Sequence, residues 1–215
     1  MSDPQRHVRQ IGAHRVLFVM AATAEYGPAL RARIDPLICG VGPVESAIAT
    51  TAALAALATL SALPQLLVSL GSAGSRTLRH AGIYQVASVA YRDIDASPLG
   101  FAKGTTPFTD HPAVIPIAHR IAGLPAASLS TGGAIITGRA YDAIAADMVD
   151  METFAQLRAA TFFRVPLVGL RGISDGQREL ERIEDWSDYL HVIDERLAAA
   201  VDQLAAQLID GTLHV

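Results

Sequence analysis

Cysteine is nearly missing from this 215-residue chain. Its single copy, Cys39, excludes an internal disulfide framework and any zinc site built from several thiolates. That usage suits a reducing compartment, and a cytoplasmic location is the expectation. Aromatic residues are scarce too, at 6%, too few for a platform on which the bases of a polymer stack. Basic residues are in no excess. Lys and Arg number 17 against 21 Asp and Glu, a net charge of −4, so nothing builds a phosphate-tracking surface and nucleic acid is not an expected partner. Long apolar runs are also lacking. The Ala-rich stretch is unbroken only from Ala52 to Ala58, well short of the roughly 20 residues of a spanning helix, and no membrane partner is expected. Arg6, Arg9 and Arg15 before Val16–Ala22 mimic a signal peptide, but the run starts late and passes straight into Glu25-Tyr26-Gly27. A buried first strand is the better reading. The seven histidines form neither an H-E-x-x-H pattern nor a close pair, so no metal site is expected.

What the chain does have is apolar residues, 51% of the total, in short runs separated by helical spacing. Residues 15–22 read as a strand covered on both faces. Pro36–Cys39 is a second short run, and Gly40-Val-Gly42 then leads to Pro43, which suits the first turn of a helix reaching about Leu60. Gln65–Leu70 reads as a strand ending in a Gly71-Ser-Ala-Gly74 turn, and Ile83–Tyr91 as another strand. Residues 93–125 carry five prolines and read as a wrap around an edge or over a site. Apolar segments resume at Ala127–Ser130, Ile135–Ile136 and Met148–Met151. A helix follows over Glu152–Phe163, then a strand Pro166–Leu170, then a final helix over about 185–208. This alternation predicts one α/β domain with a mostly parallel sheet, residues 15–215, behind an extension of residues 1–14.

In open α/β sheets ligands gather at the carboxyl ends of strands. Those ends deliver Glu25, the Gly71–Gly74 turn, Met151-Glu152 and Ser174-Asp175. Three carboxylates and a Gly-rich turn together are unusual, although each alone is commonly a helix cap or a solvated charge. Other patterns are poorer. Gly40-Val-Gly42 opens a helix, yet Ser46 stands where a dinucleotide fingerprint needs its third Gly, and no acidic residue follows at the right distance. It could still offer backbone N–H groups to a ligand. Ser72 lacks the G-x-S-x-G elbow, and Cys39 reads as a small buried hydrophobe.

Gly71-Ser-Ala-Gly74, Val149-Asp-Met-Glu152 and Arg171-Gly-Ile-Ser-Asp175, in this order, resemble the signatures of 5′-methylthioadenosine/S-adenosylhomocysteine nucleosidases, in the nucleoside phosphorylase superfamily. The likeness runs from about Val16 to the final helix. It implies a single α/β domain around a central mixed, twisted, partly barrel-like sheet flanked by helices. It also implies a homodimer, a small nucleoside substrate, and no cofactor. Carried over by position, Glu25 matches the carboxylate that activates water, and Asp175 the acid that protonates the purine. Glu152 matches the holder of the ribose hydroxyls, with Met151 under the sugar. Ser72, Ala73 and Gly74 match the segment near ribose and base. Val41, Ile135, Ile136, Arg171 and Ser174 fall at pocket positions, and Trp186 matches an aromatic of the alkylthio pocket. The chain departs from the pattern where Asp150 replaces Glu, Ser75 replaces Gly, Gly133-Ala134 replaces a more polar pair, and Ile135 stands where an aromatic is common.

The carboxylates make chemical sense without the resemblance. Breaking an N-glycosidic bond builds positive charge on the sugar and negative charge on the leaving base. One carboxyl can protonate the base, a second can activate water, and a third can accept the sugar hydroxyls. A phosphate-dependent purine nucleoside phosphorylase shares fold and pocket, and a binding module without turnover is a third reading. Phosphorylases of the bacterial hexameric type carry an Arg two residues before the Gly-Ser pair, where this chain has Ser69. A hydroxyl cannot give phosphate the bidentate grip of a guanidinium.

Overall fold

The computed structural model describes residues 4–176 and 189–215. The stretch read as an extension supplies β1 (Val8–Ile11), which pairs antiparallel with β2 (His14–Met20). β2 then runs parallel to the two-residue β3 (Leu37–Ile38) and to β4 (Leu66–Gly74). Further along are β5 (Ile83–Tyr91), β6 (Val114–Pro116), β7 (Ala126–Thr131), β8 (Met148–Asp150) and β9 (Leu167–Asp175). Among the described residues four α-helices accompany them: the one-turn α1 (Pro28–Arg31), α2 (Pro43–Thr59), α3 (Thr153–Phe162) and α4 (Leu190–Asp210).

The sheet closes on itself. β4 pairs with β8, β8 with β7, β7 with β5, β5 with β9, and β9 with β4 again. This five-stranded ring, with β2 on one side and β6 on the β5 edge, is the mixed, partly barrel-like sheet of the family resemblance. The mostly parallel sheet read from element alternation is also there, since β2–β3, β2–β4, β4–β9, β5–β7 and β7–β8 are parallel. The β4–β8 and β5–β9 pairs inside the ring are antiparallel, as are β1–β2 and β5–β6. Residues 93–125 do wrap an edge, through β6.

Alternation along the strands explains why their apolar runs are continuous. On β2, Val16, Phe18 and Met20 face one core while Leu17 and Val19 face the other. β4 repeats the division, with Leu66, Val68 and Leu70 on the first side and Leu67 and Ala73 on the second. α4 covers the first core through Ile193, Leu197, Val201, Leu204 and Leu208, at helical spacing. α2 and α3 supply Leu54, Leu57, Phe154 and Leu157 to the second. Gly42 caps α2 at φ +95°, a left-handed conformation that favours glycine, and Pro43 takes the first helical position.

Candidate active site

A cavity of about 550 Å³ opens at the carboxyl ends of β2, β4, β8 and β9. Glu25, in a short 3-10 turn after β2, Ser72–Gly74 of β4, Met151-Glu152 after β8 and Asp175 at the end of β9 line one space. Val41, Ile135 and Ile136 line it as well. Trp186 lies outside the described residues.

Each of the three carboxylates is pinned by one oxygen. Glu25 Oε1 accepts from the Ser72 amide at 2.7 Å and the Ser72 hydroxyl at 2.6 Å, while its Oε2 is buried without a hydrogen-bond partner. Glu152 Oε1 accepts from the Gly42 amide at 2.8 Å. The left-handed glycine thus turns its N–H onto the Glu152 carboxylate. Asp175 Oδ1 accepts from the Ser174 hydroxyl at 2.5 Å. Burial raises all three carboxyls above the ordinary range. Glu25 is raised by desolvation, which the Ser72 hydrogen bonds oppose. Glu152 is pushed to about 7 by desolvation and then by the neighbouring Asp150, against the Gly42 amide. Asp175 is raised by burial and drawn back by Ser174.

The Gly71–Gly74 segment is not a turn but the last stretch of β4. Its glycines are there for space. A Cβ on Gly71 would sit 3.3 Å from both Glu25 oxygens, and one on Gly74 would overlap the Tyr141 hydroxyl and lie 2.8 Å from Asp175 Oδ2. The strand pairing steps from Ala73–Ile173 to Gly74–Asp175, which leaves Ser174 as the extra residue of a bulge. Bulges redirect the chain beside functional sites, and here the next residue faces the cavity.

Two expected pocket residues do not line the cavity. Ser174 is buried and acts on Asp175 rather than on the space beyond it. Arg171 is 2% exposed; its guanidinium donates to Asp150 Oδ2 at 3.0 Å, Ser69 Oγ at 2.7 Å and Thr153 Oγ1 at 2.6 Å. Asp150 also accepts from Thr131 Oγ1 at 2.6 Å and the Thr153 amide at 2.9 Å. A buried carboxylate needs such partners, and Arg171 meets that need inside the sheet.

Sequence reasoning missed Arg92, which lines the cavity, and Asp93 and Tyr141, which stand behind its wall. Arg92, just after β5, donates to the carbonyls of Ser130, Asp150, Gly132 and Ala134, while Asp93 accepts from the Gly133 amide. This pair clips the segment carrying Ile135 and Ile136 to the end of β8. Tyr141 stands beside Asp175, so an aromatic is present although Ile135 is not one. The Tyr-Arg-Asp sequence at 91–93 carries no motif that would have marked it, and Tyr141 lies in an irregular stretch.

The model of the Phosphorylase superfamily matches residues 33–206. The chain belongs to that superfamily. A 5′-methylthioadenosine/S-adenosylhomocysteine nucleosidase of Haemophilus influenzae (strain PittEE) is 31% identical over 156 residues, 64% of this chain and 66% of that protein, just under two thirds of its length. Among solved structures, a mutant Helicobacter pylori nucleosidase with 5′-methylthioadenosine in its active site aligns with a TM-score of 0.75 at 17% identity, over 91% of this chain and 99% of the other. A futalosine hydrolase mutant of Helicobacter pylori strain 26695 aligns at 0.74 and 18%, over 89% and 98%. At these identities the structural likeness establishes the phosphorylase-superfamily fold, a single α/β domain with a closed mixed sheet. Among the described residues no helix is long and apolar enough to cross a membrane.

Proposed function

We propose that this phosphorylase-superfamily chain is a nucleosidase that hydrolyses 5′-methylthioadenosine or S-adenosylhomocysteine to adenine and a thioribose sugar. The observation that carries the reading is Glu25, fixed through one oxygen by Ser72 while the other, buried and unpaired, is available to water. A base held this way, with its pKa raised toward the working pH, suits proton abstraction. Glu152 takes the ribose hydroxyls and favours the cationic sugar of the transition state. Asp175, also raised, delivers its proton to the departing purine, with Ser174 fixing the carboxyl's orientation. The nucleosidase from Haemophilus influenzae supports the substrate class.

Phosphate is a poor fit. Ser69 is buried and bonded to Arg171, whose own charge is paired with Asp150. Arg31 donates to the Tyr26 carbonyl and lies over the Tyr26 ring. Arg92 lines the cavity, but its terminal nitrogens are taken by four carbonyls. The test is turnover of methylthioadenosine in phosphate-free buffer, scored as free adenine. Turnover that begins only when phosphate is added, with sugar 1-phosphate as product, would make the enzyme a phosphorylase.

A homodimer working in the cytoplasm completes the reading. The dimer, though not the location, is supported by a second, apolar hollow of about 540 Å³ between α2 and α3, whose lining residues Val44, Ile48 and Phe162 are 68%, 60% and 79% exposed. Light scattering of the purified chain should give twice the monomer mass. Phe162→Glu, on that face, should give the monomer mass.

A further inference from the structure

Tyr141 is 8% exposed, and its hydroxyl has no hydrogen-bond partner. The hydroxyl lies against Gly74, in a space it shares with Asp175 Oδ2 and Val149, all three of which line the cavity. It is not a loosely placed side chain. The Arg76 guanidinium sits 5.2 Å from the ring centroid, donates to Asp142 Oδ1 at 2.6 Å, and bonds the Gly138 carbonyl at the start of the same turn. Burial, and then the nearby Asp175 charge, push the phenol well above its usual pKa, so it keeps its proton. A buried, unpaired hydroxyl is costly, and a braced one packed directly behind three residues that line the cavity implies a partner that arrives with the ligand.

We infer that Tyr141 is a base-binding residue, whose hydroxyl hydrogen-bonds a ring-edge atom of the purine next to the atom Asp175 serves. The assignment rests on the nucleosidase reading in taking the Asp175 side as the base side. Glu152 and the Gly42 amide occupy the sugar's part of the reading, whereas Tyr141 and Asp175 share the space over Gly74. A flat heterocycle presents donors and acceptors on neighbouring ring atoms, and a phenol can meet either kind.

Tyr141→Phe removes the hydroxyl alone, and two readouts that need no turnover decide its role. The ligand-free variant should melt a few degrees above the wild type, because an unsatisfied buried group is gone. Calorimetry should find adenine bound about tenfold more weakly, the loss of one hydrogen bond. A merely structural hydroxyl would move the melting temperature the other way. A lowered melting temperature, failure to fold, unchanged adenine affinity, or a wild-type protein that takes up no adenine would each overturn the assignment. A wild-type protein that binds adenine but releases none from methylthioadenosine would instead sink the hydrolase reading alone.

Discussion

Glu25 is a buried and Asp175 a half-buried carboxyl, both with raised pKa values, yet their surroundings suit opposite tasks. Asp175 has one oxygen on Ser174 and the other toward the space over Gly74, where a leaving base can take a proton. Asp175→Asn keeps the shape and a donor but has no acidic proton, so turnover should fall roughly 10²–10⁴-fold in a folded protein. Near wild-type rates in that variant would remove Asp175 from the acid role. Glu25→Gln should behave differently. The amide oxygen can still accept from Ser72, but the group cannot take a proton from water. Substrate should bind and stay uncleaved, visible as a calorimetric isotherm with no adenine released. Weaker binding with unchanged turnover would contradict the water-activating role.

At the scale of elements, the site depends on how β8, α3 and β9 are locked together. Asp150 accepts from Thr131 on β7 and Thr153 on α3, and Arg171 of β9 joins it to Ser69 of β4. The Arg171–Asp150 pair is all but fully buried, at 2% and 1% side-chain exposure. Arg171→Met should therefore cost about 3–5 kcal/mol, because it strands a buried carboxylate. Arg171→Met combined with Asp150→Asn should recover part of that loss, measured by denaturant unfolding. A double variant destabilised by the sum of the losses of Arg171→Met and Asp150→Asn alone would deny the coupling. Little of this lock was legible in the sequence. The strands were, since β2, β4 and β9 are buried on both faces and open on or consist of mainly apolar runs. The carboxylates at their ends were also legible. The closure of the sheet was not, because the β5–β9 and β4–β8 pairings join residues far apart in the chain. Ser174 lay next to a recognisable Asp and Arg171 four residues before it, but side chains alternate between faces along a strand, and the bulge at Ser174 changes the count. Tyr141 reaches Asp175 only through the fold.

The whole molecule carries the electrostatic consequence of gathering three acids in one buried space. Glu25, Glu152 and Asp175 all hold their protons more tightly in the folded protein than in the unfolded chain, where carboxyls titrate near 4. Between the two ranges the native state binds more protons than the unfolded one, so stability falls as pH rises. The contribution is fully present below the unfolded values and is lost as pH climbs through the folded ones, with Glu152 reaching about 7. Asp95, Asp147, Asp202 and Asp210 are shifted down and act with the opposite sign, but only below the ordinary Asp range. Their effect leaves the neutral window clear. The ligand-free protein should therefore lose melting temperature as pH is raised from about 5 to about 8 at fixed ionic strength, the range around the Glu152 value of about 7. Glu152→Gln should lose less over the same window, since its amide does not titrate. The two proteins should differ most at the alkaline end, where wild type carries an ionised Glu152 beside Asp150. Parallel melting curves across the window would mean that Glu152 is already ionised at the acid end, and that burial beside Asp150 does not hold its proton.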